Sequence, residues 1–406
     1  MRSKRKSRDN SSSTMAPQKF PHDTIADILS RLPVKTLTRF KSVSKPFSSL
    51  IKAPLFVSSH LRRATSPLLL RRCCHNVTGP SFSFSFLDVD TRQLTPVEIP
   101  FTGYLIRYPK IVGSCNGLLC VDVSPCYATG FLFWNIATQE FRSLPKPELS
   151  NQNRPIWMVA TGFGSNPGAD HDYKLVRIVS YCSKADNFPA VRAEVFSWST
   201  GSWRVIDDET VGERMGSCVI SEGQKGVVVN GALHWLGSAA GKRADHAYVV
   251  SFDLGTEEIE VIKTPNFTAA AAMKVIGFKG SLALAVYPNG LARQMDKLEL
   301  WVLEEDYAFG GDKRNWAVSR TINTHSNGLG YPVGVLNEST LVMRKGEGHY
   351  SQLLCFNPTE ESCKRFHAIG PDSSCEVYSY VESLVPVEAG GEHEVLEQQQ
   401  LEEEED

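Results

Sequence analysis

The chain has 406 residues, of which 42% are hydrophobic and 22% are charged, and its formal net charge is −2 at pH 7. This length accommodates more than one folded unit, and the composition is that of an ordinary globular protein. No window reaches the roughly 18 apolar residues that a membrane helix requires, and the N-terminal residues lack the apolar run of a signal peptide. We therefore expect a cytoplasmic or nuclear protein with no membrane contact.

Charge is distributed unevenly along the chain. Residues 1–14 contain five Lys/Arg and one acid, whereas residues 388–406 contain nine acids and no Lys/Arg. Polar, charged segments of this kind do not bury a core, so the sequence predicts a disordered basic arm over 1–19 and a disordered acidic tail over 388–406. The basic cluster at 4–6 would suit nuclear import, although clusters this short also arise by chance.

Residues 20–64 carry apolar side chains at helical spacing, interrupted by prolines. The first stripe predicts a helix that begins near Asp23 and ends before Pro33, because proline lacks an N–H and disfavours helical backbone in the preceding residue. A second helix follows, and a third starts at Pro46. A segment this short cannot bury all its apolar surface within itself, so the surplus is expected to contact a partner. The stripes are Ile25, Ile28, Leu29 and Leu32, then Val34, Leu37, Phe40 and Val43, then Phe47, Leu50 and Ile51.

The order of these residues resembles an F-box, most closely in LSRLPVKTLTRFKSVSK at 29–45. An F-box is the segment by which substrate receptors of SCF-type (Skp–cullin–F-box) ubiquitin ligases dock onto a Skp-family adaptor, and the resemblance implies such docking. Many members have tryptophan where this chain has Phe47, so somewhat weaker packing is expected there. The alternative is an ordinary helical hairpin that caps the next domain. The residues assigned to adaptor binding, some of which must instead hold the helices together, are Pro21, Ile25, Ile28, Leu29, Leu32, Pro33, Leu37, Phe40, Val43, Phe47, Leu50 and Ile51.

The helical segment is also basic. Residues 20–72 contain ten Lys/Arg against Asp23 and Asp27. Opposite potentials speed encounter and set the register between two proteins, so a basic F-box suits an acidic docking partner. The alternative is that these basic residues only face solvent and bind no partner.

From residue 81 to 387 the sequence predicts an all-β domain, preceded by a linker or first strand over 65–80. Six hairpin phrases recur at intervals of about 45 to 65 residues, each with two strands joined by a polar turn. A period near 50 with one such hairpin per repeat is typical of kelch-like propeller blades. The hairpins occupy 84–100, 131–145, 193–206, 248–265, 298–322 and 353–370.

Further apolar runs between the hairpins supply inner strands, so up to four strands are expected in each of about six blades. The final strand, 376–387, has no hairpin partner of its own, and we expect it to complete the first blade and close the ring. Several inner runs contain a turn pair, and Asn-Gly favours a tight hairpin because both residues tolerate positive φ. The pairs are Asn116-Gly117, Asn230-Gly231, Lys279-Gly280 and Asn337-Glu338.

This region resembles the F-box-associated domain of plant-type F-box proteins, a kelch-like region, through the phrases GSCNGLLCV, TGFGSNPGADHDYKLVRI, EVFSWSTGSWRVI, GVVVNGALHWLG and VVSFDLGTEEIEVI. Together with the F-box, the resemblance covers roughly residues 20–385. It implies a small helical unit followed by a β-propeller that binds the protein to be ubiquitinated. The target itself is not indicated. Loops are expected to select it, the longest being 183–190, 238–246, 287–296 and 306–314.

No catalytic or metal-binding constellation is evident. Walker A, H-E-x-x-H and G-x-S-x-G motifs do not occur, the ten cysteines contain no C-x-x-C pair, and the ten histidines lack ligand spacing. Residues 162–168 superficially resemble a phosphate loop, but we interpret them as an inter-strand turn because Pro167 falls where a helix should continue. His234 is expected to be a hydrogen-bonded core residue. The tryptophans are expected to pack between blades, without the basic stripe of a nucleic-acid site. No cofactor, metal or nucleic acid is predicted.

The resemblance, together with the lack of a catalytic motif, implies a non-catalytic receptor that acts by proximity. Its F-box would dock on the adaptor, and through it on cullin and RING subunits, while the propeller holds a protein target for ubiquitination and proteasomal degradation. Two other classes stay open. One is an F-box and propeller scaffold or regulator acting outside a ligase. The other is an enzyme on a propeller scaffold, which would need convergent polar groups in the central channel.

Overall fold

The structure is a computed structural model. It describes residues 21–387 except 65–67, 77–78, 89, 92, 102–108, 125–128, 152–154, 169–171, 182–189, 207, 222, 240–246, 268–270, 289–295, 305–314, 325–328, 338, 346–351 and 369–372. The chain separates into two units, one ending at Arg63 and the other beginning at Ala64. The larger part of each of the four loops predicted to select targets lies outside the described residues.

The first unit consists of four eight-residue helices, α1 His22–Leu29, α2 Val34–Lys41, α3 Lys45–Lys52 and α4 Pro54–Leu61. Several helix boundaries differ from the sequence prediction. Pro21, and not Asp23, is the N-cap of α1. Asp23 lies in the first turn, where its negative charge interacts favourably with the positive end of the helix dipole. Leu32 lies beyond α1, in the turn before Pro33, and Val43 likewise lies beyond α2. The third helix begins at Lys45, one residue before the predicted start at Pro46. Ser44 caps α3 by accepting a hydrogen bond from the Phe47 N–H.

The second unit is a six-bladed β-propeller, which confirms the predicted fold class. Each blade is an antiparallel sheet, and the six predicted hairpins form the outer strands. The first blade contains β1 Leu68–Asn76, β2 Gly79–Leu87, β3 Leu94–Val97 and the C-terminal β25 Ser373–Ser379. The second contains β4 Lys110–Cys115, β5 Leu118–Asp122, β6 Phe131–Asn135 and β7 Glu140–Ser143. The third contains β8 Ile156–Ser165, β9 Tyr173–Tyr181, β10 Ala190–Ser197 and β11 Ser202–Val205.

The remaining three blades follow in chain order, with one helix between the third and fourth that the sequence did not predict, α5 Asp208–Met215. The fourth blade contains β12 Cys218–Ile220, β13 Val227–Val229, β14 Ala232–Ala239, β15 Ala247–Asp253 and β16 Ile259–Lys263. The fifth contains β17 Ala272–Phe278, β18 Ser281–Tyr287, β19 Lys297–Leu303 and β20 Trp316–Asn323. The sixth contains β21 Tyr331–Asn337, β22 Thr340–Lys345, β23 Gln352–Asn357 and β24 Ser362–Ala368.

The C-terminal strand closes the ring, as predicted, but the predicted bounds of 376–387 are wrong, because β25 is Ser373–Ser379 and residues 380–387 follow it without strand structure. β25 pairs antiparallel with β1 through seven partner pairs, from Leu68–Ser379 to Cys74–Ser373. The first blade begins at Leu68 and not at Ser81, because β1 also pairs with β2 along its whole length. Every blade therefore has at least four strands.

The predicted tight turns are confirmed where the structure describes them. Positive φ occurs at Asn116-Gly117 (51° and 82°), Asn230-Gly231 (49° and 78°) and Lys279-Gly280 (52° and 74°). Glu338, of the fourth predicted pair, lies outside the described residues. These values suit hairpin turns whose twist matches that of the flanking strands.

The turn predicted over 162–168 is wrong in its first half, because β8 continues to Ser165. A Cβ placed on Gly162 would lie 2.7 Å from the Trp235 ring and 2.8 Å from Leu233. A side chain at residue 162 would therefore clash with the fourth blade, so glycine is required there for blade packing and not for binding a phosphate.

The apolar core lies between successive blades. Trp134 packs with Leu69 and Phe84 between the first and second blades, and Trp235 packs with Val176 between the third and fourth. This is the inter-blade role predicted for the tryptophans. His234 is fully buried, with Nε2 3.4 Å from the Val229 carbonyl oxygen, as expected of a core histidine. No helix in the described part of the chain is long and apolar enough to cross a membrane.

Candidate functional site

The twelve residues assigned to adaptor binding differ widely in exposure. Four are exposed, and two of these are large apolar side chains, Ile28 at 55% and Val43 at 65%. Apolar side chains left in solvent are available to a partner, whereas fully buried ones hold the helices together. The exposed residues are Pro21, Ile28, Pro33 and Val43; the half-buried ones are Ile25, Leu32, Phe40, Phe47 and Leu50; the buried ones are Leu29, Leu37 and Ile51.

One exposed apolar residue is missing from that assignment. Leu55, in the first turn of α4, is 86% exposed, more than either Ile28 or Val43. The sequence signal was available, since Leu55 follows Pro54 at a helix start and precedes the buried pair Phe56 and Val57. Leu55 lies outside the assignment because the apolar stripes that carry the F-box resemblance end at Ile51.

Phe47, the aromatic residue at which the sequence departs from the F-box pattern, packs against another helix of the same unit. The rings of Phe40 and Phe47 stack with their centroids 6.2 Å apart and an interplanar angle of 23°. Phe40 belongs to α2 and Phe47 to α3, so the pair joins these helices. Both side chains keep part of their surface exposed.

Polar contacts fix the turn between α1 and α2 against the end of α4. His60 donates from Nε2 to the Leu32 carbonyl oxygen at 2.9 Å. Arg63 donates to the Asp27 carboxylate at 2.9 Å and to the Ser30 hydroxyl. Hydrogen bonds from Arg63 and Arg31 lower the pKa of Asp27. The turn that carries Leu32 and Pro33 is thus held in one conformation.

Basic side chains line the surface of the helical unit. Lys35, Arg39, Lys45, Lys52 and Arg62 are all exposed. A surface of this sign attracts an acidic partner at long range.

In the propeller, the inner strands surround a central cavity of about 670 Å³. Its lining comes from β4, β8, the 223–228 segment, β17, β21 and β25, so all six blades contribute. This volume falls within the range of small-molecule sites.

The fourth blade has an interruption in its inner strand that places a lysine in this cavity. β12 and β13 both pair with β14, and the residues between them turn instead toward the third blade. The Thr161 N–H donates to the Gln224 carbonyl at 3.0 Å, and the Gly226 N–H donates to the Thr161 carbonyl at 2.7 Å. These bonds on either side of Lys225 fix its backbone, and its side chain lines the cavity.

Lys225 bonds across the channel to the closing strand of the first blade. Its Nζ lies 2.9 Å from Glu376 Oε2 and 2.6 Å from the Tyr378 hydroxyl oxygen. The Tyr378 hydroxyl is 2.7 Å from the same carboxylate oxygen, and Arg71 on β1 approaches it to 3.3 Å. Because the first and fourth blades are opposite each other in a six-bladed ring, these bonds join its two sides. We call Arg71, Lys225, Lys274, Glu376 and Tyr378 the channel cluster.

The channel cluster contains three basic groups and one carboxylate. Burial alone would raise the pKa of Glu376, but the charges of Lys225 and Arg71 outweigh it and lower the pKa to about 2. Desolvation lowers the pKa of Lys225 and of Lys274. Lys274 Nζ donates to the Pro332 carbonyl at 3.0 Å, and it forms no ion pair with a carboxylate of the described residues.

These are convergent polar groups of the kind that an enzyme on a propeller scaffold would need. A carboxylate whose pKa is about 2 is nevertheless a weak general base near neutral pH. Among the described residues, no group of three or more His, Cys, Asp or Glu could hold a metal ion.

We predict that Glu376→Gln destabilises the propeller, and that the difference from wild type shrinks in acid. The folded-state pKa of about 2 is below the ordinary value of 4.5, so the ionised carboxylate contributes stability above 4.5. That contribution is lost as pH falls from 4.5 toward 2. Thermal melts of both proteins between pH 7 and the acid limit of folding measure the effect. A difference that stays constant or grows in acid contradicts the assignment.

Comparison with known proteins places both units in a family. Residues 18–59 match the F-box domain, and residues 104–387 match the F-box associated beta propeller domain. The chain is 27% identical to F-box protein At3g07870 of Arabidopsis thaliana over 76% of this chain and 73% of the relative. It is 26% identical to F-box/kelch-repeat protein At3g17530 of the same plant over 70% of each. One solved structure, a nidogen/laminin complex, matches 79% of this chain and 100% of its own at 12% identity and a TM-score of 0.40, too low a likeness to bear on function. The chain belongs to the family of F-box proteins with an F-box associated β-propeller domain.

Proposed function

We propose that the chain is a substrate-recognition subunit of an SCF-type ubiquitin ligase. The F-box unit docks onto a Skp-family adaptor, which brings the cullin and RING subunits, and the propeller binds a protein target. The chain performs no bond chemistry in this role. It raises the effective concentration of the target near a ubiquitin-charged enzyme.

The observation that carries this proposal is the set of apolar side chains that the F-box helices leave in solvent. Ile28, Val43 and Leu55 are 55%, 65% and 86% exposed. Three large apolar side chains left this exposed on so small a unit suit an interaction surface. The exposed lysines and arginines of the same unit suit an acidic partner, because they steer encounter.

Val43→Asp is the sharpest test of adaptor docking. The residue lies in the turn after α2, so a charge there leaves the helix interior intact but would be desolvated in the complex. We expect affinity for a plant Skp-family adaptor to fall by at least about 30-fold, equivalent to ~2 kcal/mol. Titration calorimetry with the purified full chain measures this loss. The double change Leu32→Asp with Pro33→Ala should act in the same direction.

Leu94→Asp is the matched control. It puts the same charge on an exposed apolar residue of the propeller, at 37% exposure, and should leave adaptor affinity unchanged. Adaptor binding that survives both F-box changes within about threefold would contradict docking through these helices. A chain that binds the adaptor but never co-purifies with cullin would instead favour a scaffold acting outside a ligase.

A further inference from the structure

The channel cluster has more positive than negative charge, and one of its lysines forms no direct ion pair with a carboxylate of the described residues. Arg71 is committed to the scaffold, since it is 6% exposed and donates to the Pro109 carbonyl at 2.6 Å. Lys225 shares the Glu376 carboxylate with Arg71. Lys274 is exposed and lines the cavity, and within the described part of the chain its Nζ donates to the Pro332 backbone carbonyl alone. An anion would find unsatisfied donor capacity at Lys274, because an ammonium carries three N–H groups.

Apolar surface lies beside this lysine. Tyr331 directly precedes Pro332, whose carbonyl receives the Lys274 hydrogen bond, and Tyr331 is 44% exposed although it is a large aromatic residue. Its ring packs edge-on against Tyr287 with centroids 5.6 Å apart, which fixes its position. Met273 and Val333 also line the cavity. A cationic group next to exposed aromatic surface suits a ligand with an anionic head and an apolar body.

We propose that the propeller channel binds an organic anion, with its carboxylate or phosphate group on Lys274 and Lys225 and its apolar body against Tyr331. The cavity of about 670 Å³ has room for a small molecule of this class. The site is built entirely by the propeller, so it is independent of the proposed adaptor docking. Failure of either proposal leaves the other standing.

The test uses two probes that carry one anionic group on an aromatic ring, benzoate and phenyl phosphate, and neutral benzyl alcohol as their control. Titration calorimetry on the purified full chain should show saturable binding of at least one anion at about millimolar affinity or tighter, and none of benzyl alcohol. Comparison of the two anions tells whether the site prefers a carboxylate or a phosphate. Inorganic phosphate should compete with the bound probe.

Lys274→Met should weaken probe binding by about tenfold or more, because it removes a charge-assisted hydrogen bond. Lys274→Arg keeps the charge and should retain binding. Lys279→Met is the matched control, since Lys279 is an exposed lysine at the turn of the same β17–β18 hairpin and does not line the cavity. Thermal melts of each variant verify folding.

A chain ending at Glu388 lacks most of the acidic C-terminal segment and shows whether that segment competes with the probes. Binding that strengthens in this shortened chain and still depends on Lys274 also supports an anion site. Three results would overturn the proposal. They are the absence of saturable binding in both chains, equal affinity in Lys274→Met, or an equal loss in Lys279→Met.

Discussion

A chain that ends at Cys375 is expected to lose the cooperative unfolding transition of the propeller, whereas a chain that ends at Glu388 melts like the full-length protein. The shorter chain lacks the half of β25 that pairs with Leu68–Arg71 of the first blade. It also lacks the following residues, which pack on the second blade. There, Asn135 donates from its side chain to the Ser383 and Val385 carbonyls at 3.1 and 2.9 Å.

The size of the loss follows from burial. The removed segment contributes at least five side chains that are at most 5% exposed, and burying each stabilises a protein by ~1.5–3 kcal/mol. Their sum, on the order of 10 kcal/mol, is comparable with the whole stability of a domain, about 5–15 kcal/mol. The side chains are Val377, Tyr380, Leu384, Val385 and Val387.

An intermediate chain separates strand pairing from packing on the second blade. Ending at Ser379 keeps β25 but removes Tyr380, whose hydroxyl accepts a hydrogen bond from the Ala137 N–H at 3.2 Å. We expect this chain to fold with a melting temperature between those of the other two. Differential scanning calorimetry on all three chains gives the order. Equal melting temperatures for the chains ending at Cys375 and Glu388 would refute closure by the C-terminal strand.

The blade architecture was predictable because its signals are local. Each outer hairpin carries its own turn and alternation, and Asn116-Gly117 or Asn230-Gly231 specify a tight turn within two residues. Ring closure was predictable by elimination, since the last strand had no neighbour along the chain. The helical stripes likewise located α1 to α3, but they placed Leu32 inside a helix because spacing alone does not show where the preceding helix ends.

The channel cluster was not predictable, because its members meet only through long-range topology. Lys225 and Glu376 are 151 residues apart, and Lys225 owes its position to an interrupted strand held by Thr161. The sequence around Lys225, QKGVVVNGALHW, predicts the inner hairpin of the fourth blade. It does not indicate that the first residues of this segment form hydrogen bonds with the third blade. Periodicity gives no reason to single out Arg177 or Glu194, because β9 and β10 contain other charged and polar residues among their apolar ones.

Arg177→Met is expected to destabilise the propeller by ~3–5 kcal/mol, the usual cost of leaving one member of a buried ion pair alone. Arg177 on β9 and Glu194 on β10 are directly paired residues with no exposed surface, and Arg177 donates to the Glu194 carboxylate. Glu194 also accepts from the Leu149 N–H at 2.9 Å, which ties the short 3₁₀ helix Glu148–Asn151 to the sheet. Urea unfolding at neutral pH measures the loss.

Lys297→Met provides the matched control. Lys297 forms an ion pair with Glu299 at 2.6 Å, but its side chain is 53% exposed. The same substitution there should cost less than ~1 kcal/mol, because solvent already screens the pair. An Arg177→Met variant no less stable than Lys297→Met would show that the buried pair contributes nothing.

The pH dependence of Arg177→Met identifies the isolated carboxylate as the cause. Burial already raises the pKa of Glu194, although Arg177 opposes this, so removing the arginine raises that pKa further. Folding then requires a bound proton on Glu194, and the variant loses stability as pH rises above the ordinary glutamate range. Its deficit relative to wild type should therefore shrink in mild acid. Adding Glu194→Gln to Arg177→Met should restore most of the stability and abolish this pH dependence, because the amide carries no charge and its oxygen still accepts from the Leu149 N–H.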